Sequence, residues 1–395
     1  MRRNRRAGVE DRWHKGDGTP SVRYGKGRRW LARYVDDRGS EHTKSFTRKV
    51  DAGQWLDGQT AAVVTGTHVD PRAGDITLRD YAEHWRKIQV QRPSSRAHIE
   101  TMLRRHAYPT LGDRPLSSIL PSDIQAWVKG LELAPATVGV IHGIVSTIMK
   151  AAIRDRRIVS NPCEGSKLPK VERKQIVPLT TEQVNAVRDA LPAELRALVT
   201  LAAGTGMRQG ECFGLTVDRV KFLERTVSVD RQLVTVAGHA PAFGPPKTQA
   251  SNRTIPLPQV VVDALAAHLA RFPAGPEGYV FTLNGKPLTR ASFGHKWRPA
   301  VATAKLPTGT GFHALRHYYA SLLIRHGESV KTVQARLGHA SAVETLDTYS
   351  HLWPDSDDRT RDAIDSVLGL PSSGDAADQL RTAGESNGLT RRSEG

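Results

Sequence analysis

The chain has 395 residues, with 57 Lys and Arg against 40 Asp and Glu and a net charge of +17. That length predicts two or three domains, and so large a positive excess gathers polyanions, of which nucleic acid is the commonest. Two distant cysteines, Cys163 and Cys212, exclude a disulfide scaffold or Cys-rich zinc site, and neither a secretory signal nor a run of about 18 apolar residues is found, so a soluble, cytoplasmic, nucleoid-associated protein without a membrane span is expected.

Charge is concentrated early, since residues 1–50 hold 15 Lys and Arg against 6 Asp and Glu. In that block Ser21–Tyr24, Trp30–Val35 and Glu41–Phe46 read as short strands, with turns at Gly25-Lys26-Gly27 and Asp36-Asp37-Arg38-Gly39. A helix is expected from Asp51 to Val64, with Trp55 and Leu56 on its inner face. Residues 1–70 should therefore form a small three-stranded β-sheet backed by one helix. Arg23, Arg28, Arg29 and Arg33 stud a strand edge that can lie in a DNA groove; the plain alternative is a small solvated β-domain. His68 to Asp75, with Pro71 and Gly74, reads as a linker.

The next segment, 75–165, reads as all-α. Leu78, Tyr81, Trp85 and Ile88 recur at the three- and four-residue spacing of an apolar helix face. A helix starting at Pro121-Ser122-Asp123, with Ser122 as its cap, carries Ile124, Trp127, Val128 and Leu131. Another, from Thr137 to Arg157, aligns Val138, Ile141, Val145, Ile148 and Ala152. Arg104, Arg105, Lys150, Arg154, Arg156 and Arg157 decorate these helices, either as solvated faces or as contacts to phosphates.

Asn161-Pro162 to Pro169 breaks the helical pattern and opens a mixed, mainly α region over 177–368. Leu179-Thr180-Thr181-Glu182 carries a capping signal. Helices over 181–191 and 194–203 precede a hairpin-like stretch, Thr226–Val236 and Asn252–Leu257, and more helices follow to about Leu368. After Leu370 hardly an aliphatic residue remains, so 371–395 is expected to be a disordered tail.

Four segments of the third region each present a cation or a nucleophile. Thr205-Gly206-Met207-Arg208-Gln209-Gly210-Glu211 predicts a tight turn into a helix that aims Arg208 outward. Lys247 stands in Pro245-Pro246-Lys247-Thr248, at the mouth of the hairpin. In His313-Ala314-Leu315-Arg316-His317, positions i and i+3 share a helix face, so His313 and Arg316 can touch one group. Leu337-Gly338-His339 is followed ten residues later by Tyr349.

Together these motifs resemble the tyrosine recombinase set of Arg, Lys, His-x-x-Arg, His and Tyr, in that order, and the chain looks like a phage-type integrase. The likeness is strongest over 177–368. It implies a site-specific DNA recombinase that cuts and rejoins strands through a 3′-phosphotyrosine link, with Tyr349 as nucleophile. Residues 1–70 resemble the arm-binding domain of many phage integrases, and 75–165 would be the core-site-binding domain. Charge building on the non-bridging oxygens can be met by two guanidinium forks, Arg208 and Arg316. His313 would assist loss of the tyrosine proton, Lys247 would protonate the leaving 5′-oxygen, and His339 would hydrogen-bond the scissile phosphate.

No acidic cluster accompanies these cations and no phosphate-binding loop is present, so neither metal, ATP nor any other cofactor is expected. The resemblance further implies double-stranded attachment sites as partners, a homotetramer in the synapse, a DNA-bending host factor and an excisionase. Glu211 reads as an orienting or capping residue, His317 as one that packs or hydrogen-bonds within the fold rather than contacting DNA, Tyr318 and Tyr319 as core, and Cys212 as a small buried side chain. His351 is ambiguous. Ala363, Ile364, Val367 and Leu368 share a helix face that either packs in cis or docks on a neighbouring subunit. A type IB topoisomerase and a non-catalytic DNA-binding regulator are the competing readings.

Overall fold

The computed structural model describes residues 7–36, 39–66, 68–70, 72–172, 175–236, 238–246, 248–353 and 357–368. Lys247 and the expected tail 371–395 lie outside them. The chain divides into two compact units, one through residue 173 and one from residue 174.

The first unit opens with an antiparallel sheet in the order β1-β2-β3: β1 (Gly8–Asp11), β2 (Trp30–Val35) and β3 (Glu41–Phe46). Helix α1 (Lys49–Val64) packs against it, burying Ala52 beneath Ala32 and Tyr34 of the central strand. The first strand is therefore not Ser21–Tyr24, as the sequence suggested. That segment turns back on itself, with Tyr24 N donating to Ser21 O at 3.0 Å and Arg23 N to Ser21 Oγ at 3.1 Å. Gly8–Asp11 holds one β-branched residue and gives no propensity signal of its own; its pairing with Arg33–Trp30 makes it a strand.

Residues 78–163 form a helical core of their own. Helix α2 (Leu78–Ile88) buries Leu78, Tyr81 and Trp85, but Ile88, its last residue, is 63% exposed. Helix α3 (Pro93–Met102) runs into a wide π-helical segment, Leu103–Gly112, which the sequence did not suggest. Pro109 within it offers no N–H, so a regular four-residue ladder cannot pass through that point. Helix α4 (Pro121–Lys129) follows, and its cap is not Ser122: the Asp123 carboxylate accepts from Leu120 N at 2.8 Å. Helix α5 (Pro135–Arg154) is the one helix among the described residues long and apolar enough, by length and composition, to cross a membrane. Its apolar face, Val138, Ile141, Val145, Ile148 and Ala152, is spent inside this core.

The second unit is built on helices α6 (Thr181–Asp189), α7 (Ala193–Thr205) and the short α8 (Gln209–Phe213). Thr180 and Gln183 form the expected capping box at the start of α6. The anticipated hairpin divides into two ribbons. Strands β4 (Val220–Lys221), β5 (Thr226–Val229) and β8 (Arg253–Pro256) form one sheet, while β6 (Gln232–Val234) pairs with β7 (Ala242–Gly244). Asp230 and Arg231 interrupt the strand between them, each held in an ion pair of its own, to Arg219 and Asp218. Helix α9 (Gln259–Arg271), the small pair β9 (Thr282–Leu283) and β10 (Lys286–Pro287), and α10 (Arg290–Thr303) complete the main core.

Helices α11 (Ala314–Arg325), α12 (Val330–Leu337) and α13 (Ala342–Tyr349) bring the remaining motifs to one end of that core. On the last helix, α14 (Asp357–Leu368), Ile364, Val367 and Leu368 are 52%, 79% and 73% exposed. Among the described residues nothing covers that apolar face; the Ala363 side chain lies outside them.

Candidate active site

Two helix ends supply the floor of the site. Helix α7 stops at Gly206, whose left-handed φ of 64° no side chain would favour. A Cβ there would also come within 2.4 Å of the Tyr319 ring. Helix α12 stops in the same way at Gly338, φ 64°, where a Cβ would meet Ala250 O at 3.0 Å. Each stop leaves carbonyl oxygens without a helical partner at the negative end of a helix dipole, a place suited to cations.

Arg316 and Arg208 occupy those places. Arg316 is buried and donates from Nη1 to Gly206 O and from Nη2 to Leu337 O, both at 2.7 Å. Burial, with Arg208 close by, lowers its pKa to about 10, which still leaves it charged at neutral pH. Arg208 stands before α8, its backbone N donating to Glu211 Oε2 at 2.8 Å. Its side chain is not aimed outward: Nη1 donates to Glu211 Oε1 and Ser251 Oγ, each at 3.0 Å, and Nη2 to Gly338 O at 3.1 Å. Of five donors per guanidinium, described residues take two on Arg316 and three on Arg208. The others have no partner among the described residues.

His339 follows Gly338 and is buried. Its Nδ1 lies 2.8 Å from Thr345 Oγ1 and its Nε2 3.6 Å from Glu344 Oε1. Burial first, then Arg316 and Arg208, lowers its pKa to about 3, so the ring is neutral and can donate a hydrogen bond from one nitrogen only. His313 sits at the start of α11 and is exposed, its pKa lowered by partial loss of water and by Arg316 and Arg208.

Tyr349 ends α13 and is 1% exposed, packed among Tyr319, Ala320, Ile324, Val333 and Leu337. Burial pushes its hydroxyl up to about 12, against the pull of Arg316. Its Oη lies 2.8 Å from Nδ1 of His317, a residue the sequence assigned to packing or hydrogen bonding within the fold, with no part in the chemistry. The signal was available, because His317 is four residues beyond His313 and so on the same helix face. Arg253 was also missed: it bonds Glu211 and Arg336 O and so ties β8 to α8 and α12. A buried carboxylate at 211 calls for a second cation, but the sequence does not show that Glu211 is buried.

Tyr318 and Tyr319, the rival nucleophiles, are both buried, Tyr318 with its hydroxyl 2.9 Å from Thr181 Oγ1. His351 Nε2 is 2.9 Å from Ile176 O, and Cys212 is buried. No group of three or more His, Cys, Asp or Glu is placed to hold a metal among the described residues. In the first unit Arg29 is forked onto Asp11 and stacked on Trp30, and Arg28 donates to Ser45 O. Arg23 stands in the turn, and Arg33 is exposed on β2. Arg104, Arg105, Lys150 and Arg154 are exposed on the helical core.

Two family models match the sequence: the phage integrase family over residues 171–355 and the phage integrase central domain over 78–167. A tyrosine recombinase XerC-like protein of Caldanaerobacter subterraneus is 30% identical over 357 residues, 81% of this chain and 90% of that one. A Mycobacterium tuberculosis protein named "Putative prophage phiRv2 integrase" is 28% identical over 338 residues, 82% of this chain and 88% of that one. Among solved structures, the Tn1549 transposon integrase bound to transposon right end DNA superposes with a TM-score of 0.64 at 24% identity, covering 74% of this chain and 100% of that one; at that identity the likeness concerns the fold.

Proposed function

The chain belongs to the phage integrase family of tyrosine recombinases and is a site-specific DNA recombinase, and from that premise we propose that it cuts DNA with Tyr349 inside the Arg208–Arg316 cradle. The observation that carries this reading is the convergence of two guanidiniums on the carbonyls of Gly206, Leu337 and Gly338, with donors to spare, next to α13, which ends in Tyr349. A phosphodiester entering there meets fixed positive charge where its oxygens gain negative charge, the largest single contribution in many such sites. Tyr349 Oη bonds to phosphorus, the 5′-oxygen leaves, and the bond energy is kept in the 3′-phosphotyrosine until a second 5′-hydroxyl reverses the step.

In this reading His339 donates a hydrogen bond from its one ring N–H to a non-bridging oxygen, and His313, at the rim, contacts the same phosphate. Lys247 protonates the leaving oxygen, an assignment from its place in the sequence alone. Residues 1–70 read arm sites through the exposed Arg23, Arg28 and Arg33. Arg104, Arg105, Lys150 and Arg154 meet backbone phosphates of the core site within residues 75–165. The face of α14, exposed among the described residues, favours assembly in trans, and hence a tetramer in the synapse; a DNA-bending factor and an excisionase complete the partners.

The nucleophile is tested with Tyr349→Phe on a suicide substrate carrying the core site. The variant binds the site and forms no covalent adduct. An adduct formed by the Phe variant shifts the role to Tyr318 or Tyr319.

A further inference from the structure

We propose that His317 is a further catalytic residue, the base that takes the proton of the Tyr349 hydroxyl as its oxygen joins phosphorus. This assignment rests on Tyr349 being the nucleophile. The 2.8 Å contact between His317 Nδ1 and Tyr349 Oη is the hydroxyl's one hydrogen bond among the described residues. Tyr349 is 1% exposed, so bulk water has no ready access to the proton. His313, the candidate the sequence offered, makes no such bond; its ring stands edge-on to that of His317, centroids 4.7 Å apart.

The protonation states suit the transfer. Burial, with His313 and Arg316 beside it, lowers the His317 pKa to about 4, so the ring is neutral at physiological pH and one nitrogen carries a lone pair. With the ring proton on Nε2, the Nδ1 lone pair accepts from the tyrosine hydroxyl. A resting imidazole of that pKa does not deprotonate a phenol near 12. The proton moves only as the oxygen's electron pair is drawn onto phosphorus, when the phenol becomes far more acidic. One bond forms, Oη to phosphorus, and one breaks, phosphorus to the 5′-oxygen. The phenolic proton ends on Nδ1, and the leaving oxygen collects its own proton from the opposite side. Reversal by a second 5′-hydroxyl returns the imidazolium proton to Oη. Arg316, one residue away in sequence, keeps the imidazolium unfavourable and so makes its proton easy to give back.

The test uses the full chain with His317→Ala and His317→Gln, on core-site suicide substrates with either oxygen or sulfur bridging at the 5′ position of the scissile phosphate. Both variants bind the site as the parent does, and single-turnover cleavage falls by about 100-fold or more in each. Sulfur leaves without an acid, so it restores a variant that has lost the donor but not one that has lost the base. His317→Ala cleaving within about threefold of the parent overturns the assignment. So does parental cleavage by His317→Gln, which can hold the hydroxyl but not take its proton, and so does rescue by sulfur. Should the Ala variant melt below the assay temperature, the Gln variant, of similar size, decides. An adduct in Tyr349→Phe is a different failure, that of the nucleophile itself.

Discussion

Glu211 and Arg253 face each other in a buried two-point ion pair, Nη2 to Oε2 at 2.9 Å and Nη1 to Oε1 at 3.3 Å, and the same carboxylate holds Arg208. Glu211 is 2% exposed, yet its pKa stays below the usual value despite burial, because Arg253 and Arg208 both favour its charge. The carboxylate thus positions Arg208 without meeting substrate. Arg253→Ala leaves that charge with a single partner and should cost about 3 kcal/mol of stability, read as a lowered midpoint in denaturant. Glu211→Leu combined with Arg253→Met should recover much of that loss and still cleave poorly, since Arg208 has lost its anchor.

Arg208→Lys keeps the charge and loses the planar fork that reaches Glu211, Ser251 and Gly338 together. Recombination should fall by about 100-fold or more, while core-site binding measured by gel shift changes little. Activity within a few-fold of the parent makes Arg208 a structural residue.

Stability should decline on acidification. His339 and His317 titrate near 3 and 4 in the folded chain, against an ordinary value near 6.5, so between about pH 6.5 and 4 the unfolded state binds the extra protons. The sign makes unfolding easier as pH falls, by up to about 1.4 kcal/mol per pH unit for each ring. The melting temperature at pH 5 should lie clearly below that at pH 7.5, and His339→Asn should narrow the gap. An equal gap in the variant removes His339 from the account.

Removing residues 1–70 deletes the sheet and α1 and leaves the separate helical core of residues 78–163. The truncated chain should cleave a core-site suicide substrate and fail to integrate through full-length attachment sites. Unimpaired integration refutes arm-site reading.

Ile364→Asp places a charge on a face already exposed in the single chain. The monomer's melting temperature should be unchanged, whereas synapsis is lost and cleavage lowered. A large fall in monomer stability shows instead that α14 packs in cis.

Much of the local architecture was legible. Leu78, Tyr81 and Trp85 announced α2 through their spacing, and Thr180 with Gln183 announced the start of α6. The misreadings share a cause. Gly8–Asp11 and the split at Asp230–Arg231 depend on pairing with strands distant in sequence, and β-structure is decided by partners more than by its own residues. The turn at Ser21–Tyr24 carried a strand-like composition, yet local bonds to Ser21 prevailed.

By itself the sequence determined the kind of chemistry: which residues carry charge, which can attack, and in what order they follow one another, because side-chain identity fixes donors, acceptors and nucleophiles whatever the fold. It also set the helix stops at Gly206 and Gly338, since a left-handed residue needs no distant partner. Only the tertiary structure decided which groups meet. Gly206 O and Arg316 are 110 positions apart, Gly338 O and Arg208 130, and Glu211 and Arg253 42. His317 reached the tyrosine hydroxyl, and His313 the rim, for the same reason. Burial, too, belongs to the packed chain: it makes His339 neutral, raises Tyr349 and turns Glu211 into an anchor, because desolvation depends on neighbours that no linear spacing specifies.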